Sequence, residues 1–170
     1  LDKQKRIGIS RNILGGRQIS KSTSLAGEIT VKAHEAFHRM IYIAPQSSLT
    51  KAFSNIRLTD MLETPIINRN LFSRKSRFIP RDKRDVKIKI KDDVLSKRFV
   101  TGSYINLTYS DGTDTGRLRG FSADDGYCDE AQNATDLAAI HHVLTYCLRS
   151  SAIPRILNTG TPLGDDDFST

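Results

Sequence analysis

Cysteine is scarce in this 170-residue chain. Cys128 and Cys147 make neither a disulfide framework nor a CxxC metal pair. That scarcity excludes a disulfide-stapled module and makes a reducing, intracellular setting the expectation. Long apolar runs are missing too: no stretch approaches the ~20 uncharged apolar residues of a membrane span. No charged segment leads into an apolar one at the start, so no secretory signal is expected. Repeats and low-complexity tracts are also absent. What is there is 38% hydrophobic and 26% charged, long enough for one domain with a sizeable core.

The net charge of +7 is unevenly spread. Between Arg69 and Lys91 stand ten basic residues and two acidic ones, a local +8 that leaves the remainder at −1. Such a block is either a surface that meets a polyanion or a solvated, flexible insertion.

Periodicity predicts alternating strands and helices. Ile7 to Leu14 suits a strand, as do the short apolar run Met40 to Ala44 and Ile153 to Leu157. Helical spacing runs from Lys21 to Phe37, from Ser48 to Leu62 and from Thr135 to Leu148. Val86 to Ile90 and Phe99 to Tyr109 alternate at period two, with a turn expected at Ser110-Asp-Gly-Thr. The expected fold is α/β, a mainly parallel sheet with helices on both faces and a hairpin-like edge from 86–109.

Three motifs fall where strands hand over to loops. The first is Gly15-Gly16-Arg17-Gln18-Ile19-Ser20-Lys21-Ser22, close to the GxxxxGK[ST] pattern of a phosphate loop. Such a loop needs free backbone N–H groups around the phosphates, a Lys for the β/γ oxygens and a hydroxyl for Mg²⁺. Gly15, Lys21 and Ser22 fit, whereas Ser20 stands where glycine is usual. Candidate nucleotide-binding residues are Gly15, Gly16, Arg17, Gln18, Ser20, Lys21, Ser22 and Thr23. The second motif is Asp129-Glu130-Ala131-Gln132, in which Asp129 would join Ser22 at Mg²⁺ and Glu130 would polarise the attacking water. The preceding Ala123-Asp124-Asp125-Gly126 is more polar than a central buried strand should be, so a solvated acidic loop stays open as the alternative. The third is Thr159-Gly160-Thr161-Pro162, whose hydroxyls could sense the γ-phosphate and pass its loss to a moving element.

In this order, the motifs resemble the ATPase domain of the large terminase subunit of tailed bacteriophages. Arg17-Gln18 ahead of Lys21-Ser22 is similar to that family's phosphate loop. Ile41-Tyr-Ile-Ala-Pro-Gln looks like its second strand, and Phe99-Val-Thr-Gly-Ser-Tyr-Ile with Arg119-Gly120 is similar to its stretch upstream of the acidic motif. The likeness runs from about residue 14 to 162. It implies a P-loop NTPase fold of the ASCE/RecA-like kind, formed by residues 1–170 as one domain. It also implies ATP and Mg²⁺ as cofactors, and a motor that drives double-stranded DNA into a procapsid. Implied partners are the portal protein, the small terminase subunit and further copies in a ring, all in the host cytoplasm. Thr159, Gly160 and Thr161 would be the coupling residues. An arginine should meet the transition-state charge: Arg17 within its own subunit, Arg119 across to a neighbour. The basic block offers Arg74, Lys75, Arg77, Arg81, Lys83 and Arg84 to DNA phosphates. The family's C-terminal nuclease domain has no counterpart here, the only carboxylate run past Pro162 being Asp165-Asp166-Asp167. The chain is therefore expected to be an ATPase fragment.

Two other classes compete. A superfamily-two helicase shares the phosphate loop and acidic pair but needs a second RecA-like domain. A non-enzymatic basic nucleic-acid-binding module explains the 69–91 block but makes Lys21, Asp129 and Glu130 accidents. His34-Glu35-Ala36-Phe37-His38 also matches the HExxH zinc pattern on an expected helix, with His141 and His142 as candidate third ligands. It is read as a chance match of structural or surface histidines, and Cys128 as a small buried residue.

Overall fold

The computed structural model describes residues 9–15, 20–80, 89–110, 116 and 120–161. Seven strands form one sheet: β1 (Ile9–Leu14), β2 (Arg39–Ala44), β3 (Lys91–Asp93), β4 (Ser96–Arg98), β5 (Tyr104–Tyr109), β6 (Asp125–Cys128) and β7 (Arg155–Gly160). Their order is β1-β7-β6-β2-β5-β4-β3. From β1 to β5 every pairing is parallel, and β5, β4 and β3 pair antiparallel. The mainly parallel sheet and its hairpin edge are thus as expected. β7 slots between the strands that lead into the first two motifs, so all three motifs meet at one end of the sheet.

β2 shows how the sheet is covered. Met40, Tyr42 and Ala44 face α1 (Lys21–Ala33), whose Leu25, Ile29 and Ala33 share their core cluster. The same layer includes α2 (Ser47–Ala52), a π-helical turn (Phe53–Leu58), α3 (Thr59–Glu63) and α4 (Pro65–Phe72). Ile41 and Ile43 point to the other face, onto Ile140 and Leu144 of α5 (Leu137–Cys147). This alternation is the period of a strand buried on both sides.

Several boundaries differ from expectation, each for a local reason. The first helix ends at Ala33, four residues early, because Thr101 and Ser103 both donate to the Ala33 carbonyl (2.7 Å each). The chain then turns, with Phe37 at φ 58°. Its ring lies against Gly102, at φ 81°, where an added Cβ would sit 2.5 Å from the ring. Phe99–Ser103 is accordingly a turn, closed by Phe99 N–H to the Ser103 carbonyl (3.0 Å), and β5 begins at Tyr104. Lys89 and Ile90 lie outside any strand, and residues 86–88 and the 111–113 part of the predicted turn lie outside the described residues. Helix α4 was not anticipated. Pro65 opens it at a favourable first position, and Leu71 anchors it in the core.

The HExxH residues leave helical geometry with the early stop, so their two imidazoles do not share a helix face. His34 Nδ1 lies 2.9 Å from the Thr30 carbonyl, while His38 sits between Glu35 (3.1 Å) and Asp125 (2.8 Å). His141 and His142 belong to α5, across the sheet.

Candidate active site

The polar segment that counted against a buried strand leads into β6 and supplies its first two residues, Asp125 and Gly126. Asp125 is 2% exposed, yet it is held by Arg155 Nε (2.7 Å), Arg155 Nη2 and His38 Nε2 (2.8 Å). Burial works against its charge, but the His38 and Arg155 contacts outweigh it and hold the carboxyl below its ordinary value. Asp124 accepts from Arg39 Nε (3.0 Å) and Nη2 (2.8 Å), and its carboxyl is lowered likewise against the same burial cost. The partners come from the starts of β2 and β7, which no local sequence window reveals. The solvated-loop alternative is therefore wrong: Asp125 is buried and Asp124 partly buried, and each is neutralised from a neighbouring strand.

At the other end of β6, Asp129 is 5% exposed and its surroundings change character. Its Oδ2 accepts from Ser22 Oγ (2.9 Å) and from the Tyr42 hydroxyl (3.0 Å). Its Oδ1 accepts from the Thr159 hydroxyl and from Glu130 N–H (3.1 Å). Among the described residues Asp129 forms no ion pair. Tyr42 was not singled out from the sequence. A buried phenol on a central strand must find a partner, and that was the available signal. Burial first, and then Asp129, push the Tyr42 hydroxyl well above its ordinary value, so it remains a donor. Burial also pushes the adjacent Cys128 thiol up to about 12, which leaves it protonated and inert.

Lys21 opens α1 and is 7% exposed. Its Nζ donates to the Gly15 carbonyl (2.7 Å) and to Thr161 Oγ1 (2.5 Å). Gly15 N–H in turn donates to the Gly160 carbonyl (3.3 Å), fastening the end of β1 to the end of β7. Ser20 has φ 60°, the left-handed conformation that glycine adopts without strain. The backbone at Ser20 thus takes the glycine-like geometry, and the serine departs in strain rather than in shape. Ser22 and Thr23 lie in the first turn of α1, a turn with no acidic residue to compete for an anion.

Glu130 also has positive φ, 52°. Its Oε2 accepts from Gln132 Nε2 and from Asn133 Nδ2 (3.5 Å), and Gln132 Oε1 accepts Thr161 N–H (3.1 Å). Gln132 is a second residue whose contacts sequence reading missed. Beside Ser22, Asp129 and Glu130 opens a cleft of about 320 Å³, walled opposite by Phe53, Ile56 and Arg57.

Of the predicted site residues, Gly15, Ser20, Lys21, Ser22, Thr23, Asp129, Glu130, Thr159, Gly160 and Thr161 therefore share one end of the sheet. Gly16, Arg17, Gln18 and Arg119 lie outside the described residues, as do Arg81, Lys83 and Arg84. Arg74, Lys75 and Arg77 are exposed just after α4. Arg77 stacks on Phe78 (5.1 Å), whose ring meets His34 edge-on beyond the C-terminus of α1. Thirteen residues of α1 put that corner about 20 Å from Lys21.

A family model described as "Terminase large subunit, T4likevirus-type, N-terminal" matches residues 12–170. The chain belongs to the terminase large-subunit family. Among solved structures, the HK97 bacteriophage large terminase is similar at TM-score 0.65 and 14% identity, covering 94% of this chain and 30% of that one. The Thermus phage P74-26 large terminase ATPase domain is similar at TM-score 0.59 and 16% identity, over 91% of this chain and 60% of that one. At those identities the likeness shows the fold, a mostly parallel P-loop sheet. This terminase chain spans about a third of the HK97 protein. No curated protein matches it.

Proposed function

We propose that this chain is the ATPase motor domain of a terminase large subunit, hydrolysing ATP to drive double-stranded DNA into a procapsid. The observation that carries the reading is the insertion of β7 between β1 and β6. It gathers Lys21, Ser22, Asp129, Glu130 and Thr159 around the N-terminus of α1. The donor set suits Mg·ATP: an ammonium for phosphate oxygens, and a paired hydroxyl and carboxylate as hard oxygen ligands for Mg²⁺.

Bound Mg·ATP would supply the phosphoanhydride and a divalent charge beside it. Within the chain, Lys21 is the cation for the β/γ-phosphate oxygens. N–H groups of the first turn of α1 would receive the remaining charge. Ser22 Oγ and Asp129 would hold Mg²⁺, directly or through water. Glu130 orients the attacking water and takes its proton on Oε1, since Oε2 is occupied by Gln132. Tyr42 and Thr159 fix the Asp129 carboxylate. Arg17 is assigned to phosphate within the subunit and Arg119 to a neighbour's nucleotide in a ring. Thr159, Gly160 and Thr161 are assigned to coupling.

DNA, the portal protein and the small terminase subunit are the proposed partners, met in the host cytoplasm, and a nuclease domain is proposed for the longer protein. Arg74, Lys75 and Arg77 are offered to DNA backbone phosphates. If they engage, replacing all three with alanine flattens the salt dependence of duplex binding by up to ~3 units of slope. An unchanged slope moves the contact elsewhere.

ATP turnover decides the enzymatic reading. The protein should hydrolyse ATP with Mg²⁺, and Lys21→Ala and Glu130→Gln should be slower by ~10²-fold or more. Equal turnover in all three would overturn it.

A further inference from the structure

Three hydrogen bonds run in series from the phosphate-loop lysine to the acidic pair. Lys21 Nζ donates to Thr161 Oγ1 (2.5 Å), Thr161 N–H donates to Gln132 Oε1 (3.1 Å), and Gln132 Nε2 donates to Glu130 Oε2. Gln132 is the middle link. It sits in the 3₁₀ turn Ala131–Asn133 that follows Glu130, and both ends of its amide are used. The amide is planar, so its two bonds cannot be adjusted independently. Moving Thr161 therefore moves the donor that fixes the Glu130 carboxylate.

We propose that Gln132 is a positioning residue that ties the orientation of Glu130 to the position of Thr161 at the end of β7. Glu130 has φ 52°, and Gln132 donates to one of its oxygens. That bond leaves the other oxygen to face a water. Lys21 shares Thr161 with this relay, so an anion that draws the ammonium toward itself changes the first link of the chain. The end of β7 thereby reports on the phosphate loop and on the base at once. Thr159, two residues back, bonds Asp129, so the same strand end touches the Mg²⁺ carboxylate as well. The proposal rests on Glu130 being the group that activates water.

Two substitutions separate the halves of the relay. Gln132→Met keeps the length and removes both bonds. Gln132→Glu keeps an acceptor for Thr161 N–H but loses the donor to Glu130. Steady-state ATP turnover and amide hydrogen exchange of the nucleotide-free protein, read at Thr161, give independent measures. Gln132→Met should lower kcat roughly 10-fold, the weight of one charge-assisted hydrogen bond. Its KM should be unchanged, and exchange at Thr161 should be faster. Gln132→Glu should lower kcat at least as much while Thr161 exchange stays as slow as in the wild type. A residue with only a structural role would move both measures together in both variants. Wild-type kcat in Gln132→Glu, or unaltered Thr161 exchange in Gln132→Met, overturns the proposal. Glu130→Gln serves as the control: full turnover there would sink the assignment of Glu130, whereas lost turnover there with normal kcat in both Gln132 variants would sink the relay alone.

Discussion

Asp125 and Asp129 stand four residues apart, at opposite ends of β6, and both are almost fully buried. Asp125 is met by a guanidinium, an imidazole and, at 3.4 Å, the Tyr127 hydroxyl, Asp129 by three hydroxyls and an amide. A buried carboxylate paired with a guanidinium is already neutralised and has little left to offer a ligand. One that meets only hydroxyl and amide donors has no cation beside it and can take one that arrives. The contrast also follows the geometry of parallel sheets, whose ligands collect outside the carboxyl ends of the strands. The same strand is thus a structural clamp at one end and a candidate Mg²⁺ ligand at the other.

The largest effect should come from the ligand end. Glu130→Gln is expected to slow ATP hydrolysis ~10²–10⁴-fold, with nucleotide binding kept. Rapid-quench hydrolysis beside equilibrium titration measures the two quantities separately. Normal hydrolysis would remove Glu130 from the chemistry.

At the clamp end, Arg155→Ala should cost about 3 kcal/mol by leaving the buried Asp125 carboxylate without its guanidinium, with His38 its remaining close nitrogen partner. That corresponds to a melting temperature lower by roughly 6–12 °C for a domain of this size. The clamp has a pH signature too. Asp124 and Asp125 are both lowered in the folded state, so their contribution is complete above the ordinary carboxylate value of ~4. It is lost as pH falls below that value through the folded one. An acid-unfolding series should therefore show a shallower loss of stability in Arg155→Ala than in the wild type. Parallel curves would mean the clamp is not an ion pair in solution.

The smallest effect concerns the loop. Ser20→Gly relieves a left-handed serine worth about 1 kcal/mol, raising the melting temperature by about 3 °C. A drop in stability would show that the serine is not strained there.

How far these features could be read beforehand follows the same divide. The ligand end announces itself locally: Lys21-Ser22, Asp129-Glu130 and Thr159-Gly160-Thr161 are contiguous residue patterns whose chemistry dictates their type. The clamp end does not. Arg39 and Arg155 lie 85 and 30 residues from the acids they neutralise, so a polar strand with distant partners reads as a loop. The sheet order was likewise foreseeable only in outline, from the alternation of strands and helices. The early end of α1 was hidden because Thr101 and Ser103 cap it from 68 and 70 residues away. Tyr42 and Gln132 escaped for a related reason. Tyr42 acts through its hydroxyl and Gln132 through the two ends of its amide, and neither spacing nor flanking residues mark those contacts.

Thermal melting with and without Mg·ATP, run on the wild type, Lys21→Ala and Arg155→Ala, tests the central claim most directly. A ligand that binds only the folded state stabilises it by ~2.7 kcal/mol at a hundredfold excess over its Kd. The account predicts that the wild type and Arg155→Ala both gain several degrees from Mg·ATP, the latter from a lower starting point. Lys21→Ala should melt within a few degrees of the wild type without nucleotide and gain nothing from it. A full Mg·ATP shift in Lys21→Ala would contradict the assignment of this end of the sheet as the nucleotide site.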